Sequence, residues 1–293
     1  MNFDRRLTPA RPDLAAAHLQ GRVAAARFVE GRAMRVADPI VDLRREPQPD
    51  SGVETQALFG ERVMVYETYE GFAWGQLESD GYVGYLPDAA LVADADAPTH
   101  RVAIPLTFVY PAASMKTPRM AELPMGARVR VAAQEGAFDR LAEGGFVWGA
   151  HLRGLDEGEA DFVAVAEWFL HAPYLWGGKS WRGVDCSGLV QISLAAAGMA
   201  APRDTDMQEA ALGAPLPIDA TSAGLRRGDL VFWKGHVGVM RDAGTLLHAN
   251  GHHMQVVSEP LAAARKRILV AGAGDITSAR RLARFSAARA SAG

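Results

Sequence analysis

Two small antiparallel barrels followed by an α+β domain are what the sequence predicts, and three observations carry the prediction. Between residues 34 and 155 the chain is a series of strand-length runs broken by Gly, Pro and Asp. The same region repeats itself with a period near 65 residues. Beyond residue 155 the hydrophobic period becomes helical, and strands return only further on. That succession belongs to an α+β domain. At 293 residues the chain has room for more than one core.

The elements follow in order. Residues 1–33 include the Ala-rich run LAAAHLQGRVAAARFVEGRA, whose 3.6-residue pattern predicts a helical strap packed on something larger. Residues 34–97 form the first predicted barrel, with RVMVYETY, FAWGQLE and YVGYLP as strands; residues 98–155 form the second, with RVRVAA and FDRLAE. The repeat aligns Gln56–Val65 with Ala121–Val131 and Ser79–Leu91 with Glu143–Leu152, each copy placing Gly just before an alternating strand. PTHRVA, residues 98–103, reads as the linker between the copies. The α+β domain spans 156–280: an acidic link, a helix ending at Pro173, the apolar helix SGLVQISLAAAGM, then the strands DLVFW, HVGVM and TLLHA. The basic, small-residue tail 281–293 is expected to be flexible.

Composition excludes several functions. Hydrophobic residues make up 49% and charged residues 22%, the balance of a soluble globular protein. A net charge of −3 argues against a nucleic-acid partner, which would call for a basic face. No stretch approaches the ~20 apolar residues of a membrane span, and the start lacks the apolar run of a secretory signal. The expectation is a cytoplasmic protein with no membrane partner.

One cysteine in the whole chain rules out an internal disulfide and a Cys-based zinc site. A lone Cys is ordinarily a small buried hydrophobe. Its neighbours raise the stakes here, because YLWGGKSWRGVDCSGLV puts Cys186 where a Gly-containing loop turns into an apolar helix. The positive end of a helix favours a thiolate, and its open N–H groups can hold an oxyanion. Asp185 and Ser187 suit the cap of that helix. A nucleophile needs a base and the base an orienting partner. His236 begins an apolar strand, and after the turn DAG a second strand carries His248, so a hairpin could present both imidazoles toward the same helix. The adjacent His252 and His253 point apart in extended chain and suit a solvated loop better than a metal; no metal or cofactor is expected.

In this order, YLWGG, DCSGL, PRDTDMQ, GDLVFW, GHVGV and LLHAN resemble the NlpC family of cell-wall peptidases over about residues 160–280, and the two repeats resemble bacterial SH3-like domains. The resemblance implies an α+β papain-like catalytic domain behind two small SH3-like barrels, with Cys186, His236 and a third polar residue, His248, as its catalytic set. It further implies cleavage between D-glutamate and the diamino acid of peptidoglycan stem peptides. The barrels ahead of the domain are most similar to those of recycling enzymes that cut L-Ala-γ-D-Glu-diaminopimelate and require a free N-terminal L-Ala. On that likeness Tyr174 and Trp176 line the cleft, with Asp185 and Ser187 beside them, and Tyr174 assists the oxyanion. Asp204 and Thr205 match an Asp-Ser pair that receives the peptide's amine; Thr departs from the pattern but keeps the hydroxyl. Tyr82 matches a tyrosine that closes over the amine, and Glu54 or Glu61 supplies an acidic partner. A related amidase or acyltransferase, and a noncatalytic wall-binding protein, are the competing readings. The sequence does not fix the oligomeric state.

Overall fold

The structure, a computed structural model, describes residues 3–219 and 222–286. The chain divides into two compact units, residues 1–155 and 156–293.

In the first unit the largest sheet has seven strands, in the order Val53–Leu58, Ile40–Arg44, Val83–Pro87, Phe72–Leu77, Arg62–Tyr69, Arg32–Val36 and Leu91–Ala93. Alternation sends Val41, Leu43, Val63, Leu77, Tyr82 and Leu86 into one core. A register shift between Val65 and Glu67 bends the long Arg62–Tyr69 strand, as a bulge does.

Residues 100–154 build three smaller sheets around a separate core that includes Val102, Leu123, Val129 and Leu152. The repeat survives in its turns. Gly60 and Gly126 both take positive φ, +76° and +86°, and so do Gly81 and Gly145, +77° and +82°. A 3₁₀ turn then leads into a short strand in each copy, at Asp88–Ala90 and at Gly149–His151. The sheets themselves differ between the copies. The expected linker is a strand: His100–Val102 pairs with both Arg128–Val129 and Leu152–Gly154.

The helical strap is not formed. Leu14–Ala16 and Arg27–Val29 are short parallel strands, with a single 3₁₀ turn at Ala17–Leu19 between them. Gly21 at φ +77° interrupts the run, and an isolated helix shorter than about 12 residues is marginal. Leu14, Ala15 and Ala16 are all buried, so small size here serves close packing rather than helix propensity.

The second unit holds a six-stranded antiparallel sheet in the order Ala214–Leu216, Ser278–Arg281, Leu230–Trp233, His236–Met240, Thr245–Asn250 and Gln255–Pro260. Five helices accompany it among the described residues: α1 (Phe162–Glu167), α2 (Cys186–Ala196), α3 (Thr205–Ala211), α4 (Leu261–Val270) and α5 (Ala283–Ser286). Val190 and Leu194 of α2 pack with Leu230, Phe232, Val237 and Val239. The alternate residues Val231, Trp233, Met240 and Leu246 pack with Leu261 and Ala264 of α4. The flexible tail expected from residue 281 is corrected as far as residue 286: Arg281 ends a strand, Leu282 is buried and Phe285 lies 5.0 Å from Phe162, ring to ring. Residues 287–293 lie outside the described residues. No helix among the described residues is long and apolar enough to cross a membrane.

Candidate active site

Cys186 is the first residue of α2, and Asp185 is the N-cap, its side chain accepting from Gly188 N at 2.7 Å. The approach to this helix requires glycine. A Cβ on Gly188 would lie 2.2 Å from the Gly178 carbonyl oxygen, so loop and helix touch backbone to backbone.

Asp185 also accepts from Gly177 N at 2.9 Å, from the Ser187 hydroxyl at 3.1 Å, and from both Arg203 Nη1 and Nη2 at 3.0 and 2.6 Å. Arg203, 1% exposed, donates further to Ser187 Oγ at 2.7 Å. Gln208 of α3 ties the same turn down through Ser187 O at 2.9 Å. Asp185 and Ser187, expected beside the substrate, thus also have a structural part to play. Both side chains point into a buried network that fixes the nucleophile's backbone, because a buried carboxylate must be met by donors. Arg203 and Gln208 lie in the quoted PRDTDMQ motif, but that motif was read only for its Asp and Thr.

Cys186 is buried, 6% exposed as a residue. Burial, with the Asp185 charge behind it, pushes Cys186 up to about 12, against the pull of Arg203 and of the Val237 and Ser187 amides. The helix-terminus argument predicts the opposite direction; desolvation and a neighbouring carboxylate outweigh the dipole. One of those amides belongs to Val237, the residue that follows His236, and Cys186 and Val237 share one core.

His236 opens its strand after the two-residue turn Lys234–Gly235, in which Gly235 has φ +73°. Its return strand is set by the turn at Asp242, whose carboxylate accepts from Gly244 N and Thr245 N, both at 2.9 Å. The hairpin brings the two imidazoles together: His236 Nε2 and His248 Nδ1 are 2.8 Å apart. On the two faces of this hairpin, Val237 and Val239 pack in one core with Cys186 and Val190 of α2, and Met240 and Leu246 pack with Leu261 and Ala264 of α4. Burial, then the proximity of His248, pushes His236 well below the ordinary imidazole range. His248, wholly buried, is lowered by burial against the pull of Glu259. Burial thus acts against the charged form of both the thiol and the imidazole.

Beyond His248 the chain of contacts continues. His248 Nε2 meets Glu259 Oε1 at 2.8 Å, and Arg267 of α4 donates to both Glu259 oxygens at 2.6 Å. Sequence reasoning missed Glu259 and Arg267. The one signal available was strand register, which pairs Leu246 with Glu259 and so sets Glu259 diagonal to His248.

Tyr174 is half-buried, and burial, Cys186 and Asp185 all raise its hydroxyl, which places it in the field of the thiol. Trp176 is 70% exposed on the same loop. Asp204 stands at the N-cap of α3 without a capping bond from its side chain, and Thr205 is the helix's first residue; both are partly buried. In the first unit, Tyr82 is a core residue whose hydroxyl donates to Glu54 Oε2 at 3.4 Å. Glu54 also pairs with Arg45, whereas Glu61 accepts from Leu58 N at 3.0 Å and closes a turn. The two glutamates are thereby distinguished: Glu54 belongs with Tyr82, and Glu61 with its own backbone. Asn250 Oδ1 accepts from His253 N at 2.9 Å, fixing the loop after the second strand. No group of three or more His, Cys, Asp or Glu among the described residues is arranged to hold a metal ion.

Residues 43–91 match the profile described as the bacterial dipeptidyl-peptidase Sh3 domain, and residues 171–271 match that of the NlpC/P60 family. A gamma-D-glutamyl-L-lysine dipeptidyl-peptidase of Bacillus subtilis (strain 168) is 30% identical over 231 residues, 68% of this chain and 73% of the relative. A protein of the same name from Bacillus cereus (strain ATCC 10987 / NRS 248) is 25% identical over 241 residues, 71% of each. The crystal structure of an NlpC/P60 family protein from Bacillus cereus ATCC 10987 has a TM-score of 0.70 at 20% identity, over 85% of this chain and 99% of that one, a likeness of fold.

Proposed function

Because the chain belongs to the NlpC/P60 family, with a bacterial SH3 domain ahead of its peptidase domain, we propose that it is a cysteine peptidase acting on released cell-wall stem peptides. Its substrate is a peptide of the type L-Ala-γ-D-Glu-diaminopimelate, cut between the glutamate and the diamino acid. The observation that carries this reading is Cys186 at the first position of α2, in one core with Val237, the residue next to His236, with His236 bonded in turn to His248.

The steps follow from the surroundings of the pair. His236 takes the thiol proton as sulfur attacks the γ-carbonyl carbon, since burial disfavours a standing charge on either group. The oxyanion forms beside the start of α2, where open N–H groups and the Tyr174 hydroxyl are the available donors. Collapse breaks the C–N bond, and His236 returns its proton to the departing amine. Water, deprotonated by the same imidazole, then splits the thioester and releases L-Ala-D-Glu. Asp204 and Thr205 receive the substrate's ammonium, a cation that a closed site must meet with acceptors.

The test is hydrolysis of L-Ala-γ-D-Glu-diaminopimelate followed by mass spectrometry, alongside the N-acetylated peptide. Acetylation removes the ammonium and its charge-assisted bonds, so kcat/KM should fall at least about a hundredfold. Equal rates on both peptides would remove the free-amine requirement, and no cleavage of either would remove the substrate assignment.

A further inference from the structure

The paired imidazoles leave one question of chemistry open within themselves: which ring nitrogens carry hydrogen. Each neutral imidazole holds a single N–H, and one hydrogen lies between His236 Nε2 and His248 Nδ1. The arrangement is decided at the far end, at His248 Nε2, where two groups of opposite demand compete. Glu259 Oε1 lies 2.8 Å away and can only accept. Asn250 Nδ2 lies 3.0 Å away and can only donate. The amide is not at liberty to turn, because Asn250 Oδ1 accepts from His253 N at 2.9 Å.

The carboxylate prevails. Arg267 grips both of its oxygens. Burial opposes ionisation of Glu259, but the bonds from His248 and Arg267 outweigh it and hold the carboxyl down to about 2. A bare imidazole lone pair facing an ionised oxygen at that distance would be repelled, whereas an N–H there forms a charge-assisted bond, about twice as strong as the neutral bond Asn250 offers.

We propose that Glu259, gripped by Arg267, is a positioning residue that fixes the tautomers of both histidines and so leaves His236 Nδ1 bare to take the Cys186 proton. With hydrogen on His248 Nε2, His248 Nδ1 is an acceptor. His236 must then donate from Nε2, and its Nδ1 is the lone pair. Without Glu259, Asn250 donates to His248 Nε2, the hydrogen moves to His248 Nδ1, and His236 Nε2 becomes the acceptor. The remaining hydrogen then sits on His236 Nδ1, where the base should be. The inference rests on His236 as the base of the proposed reaction, and its spectroscopic test is independent of any substrate.

Long-range ¹H–¹⁵N correlation spectra of histidine-labelled full-length protein at pH 7.5 read the tautomers directly. In the wild type both His236 and His248 should carry hydrogen on Nε2. In Glu259→Ala both should invert, and alkylation of Cys186 by iodoacetamide should slow at least tenfold. In Glu259→Ala with Asn250→Ala the competing donor is gone, and alkylation should recover at least threefold from the single variant. Hydrogen on Nδ1 of either ring in the wild type overturns the proposal even if no variant folds. So does Glu259→Ala with unchanged tautomers or with alkylation within twofold of wild type. Correct tautomers in a protein that leaves the tripeptide intact would overturn the substrate reading and not this one.

Discussion

Arg203 with Asp185, at the start of α2, and Arg267 with Glu259, at the sheet's edge, are the same chemical pair in different surroundings. Asp185 gives its acceptor positions to two backbone amides, a hydroxyl and the guanidinium, so its charge organises chain. Glu259 has one oxygen on an imidazole, so its charge organises hydrogens. Their side-chain exposures differ accordingly, 1% and 10% for the first pair against 24% and 14% for the second. A carboxylate's role thus follows from what its second partner is.

The largest expected effect lies at the end of the hydrogen-bonded chain. Cys186→Ala and His236→Ala should each lower kcat/KM at least ~10³-fold while leaving the thermal transition near that of the wild type, since members of a catalytic unit fail together. Near-wild-type turnover in either variant would detach the sheet's pair from catalysis altogether.

Next in size is the contrast in stability. Arg203→Leu leaves a buried carboxylate without its cation and should cost about 3–5 kcal/mol in denaturant unfolding, whereas Arg267→Leu, at a pair more open to solvent, should cost less, about 1–2 kcal/mol. Similar losses in both would mean that the two pairs are architectural alike.

The smallest effect is on acid stability. His236 is lowered in the folded state, so below the ordinary imidazole value of 6.5 the unfolded chain binds the extra proton and stability falls with pH. Glu259, at about 2 against an ordinary 4.5, adds a second loss of the same sign as pH falls from 4.5 toward 2. Glu259→Gln removes only that second loss. A melting temperature of this variant that falls as steeply as the wild type's between pH 4.5 and 3 would contradict the assignment.

What could be read in advance was whatever local sequence signals. An Asp before an apolar run marks the start of α2, and DAG marks the turn between the His236 and His248 strands. Gly60 and Gly126 betray the repeat because only glycine takes that backbone angle without strain. Glu259 was not legible: QVVSEP is an unremarkable strand, and its meaning depends on pairing across the sheet. Arg267 is one basic residue among several on α4. The Ala-rich start misled for a related reason, since the burial of Leu14–Ala16 is a tertiary fact that overrides helix propensity. The direction of the thiol's shift was misread because helix ends are visible in sequence and desolvation is not.

Trp176 is 70% exposed, yet the residues that follow it are immobilised, Gly177 N on Asp185 and Gly178 against the first turn of α2. Exposure and looseness are therefore separate here. A large ring on a fixed stretch of backbone keeps its side-chain torsions but leaves the main chain beneath it little to order when something covers it. Hydrogen exchange should record this as slow amides at Gly177 and Gly178 directly beneath one of the most solvent-washed indoles of the chain.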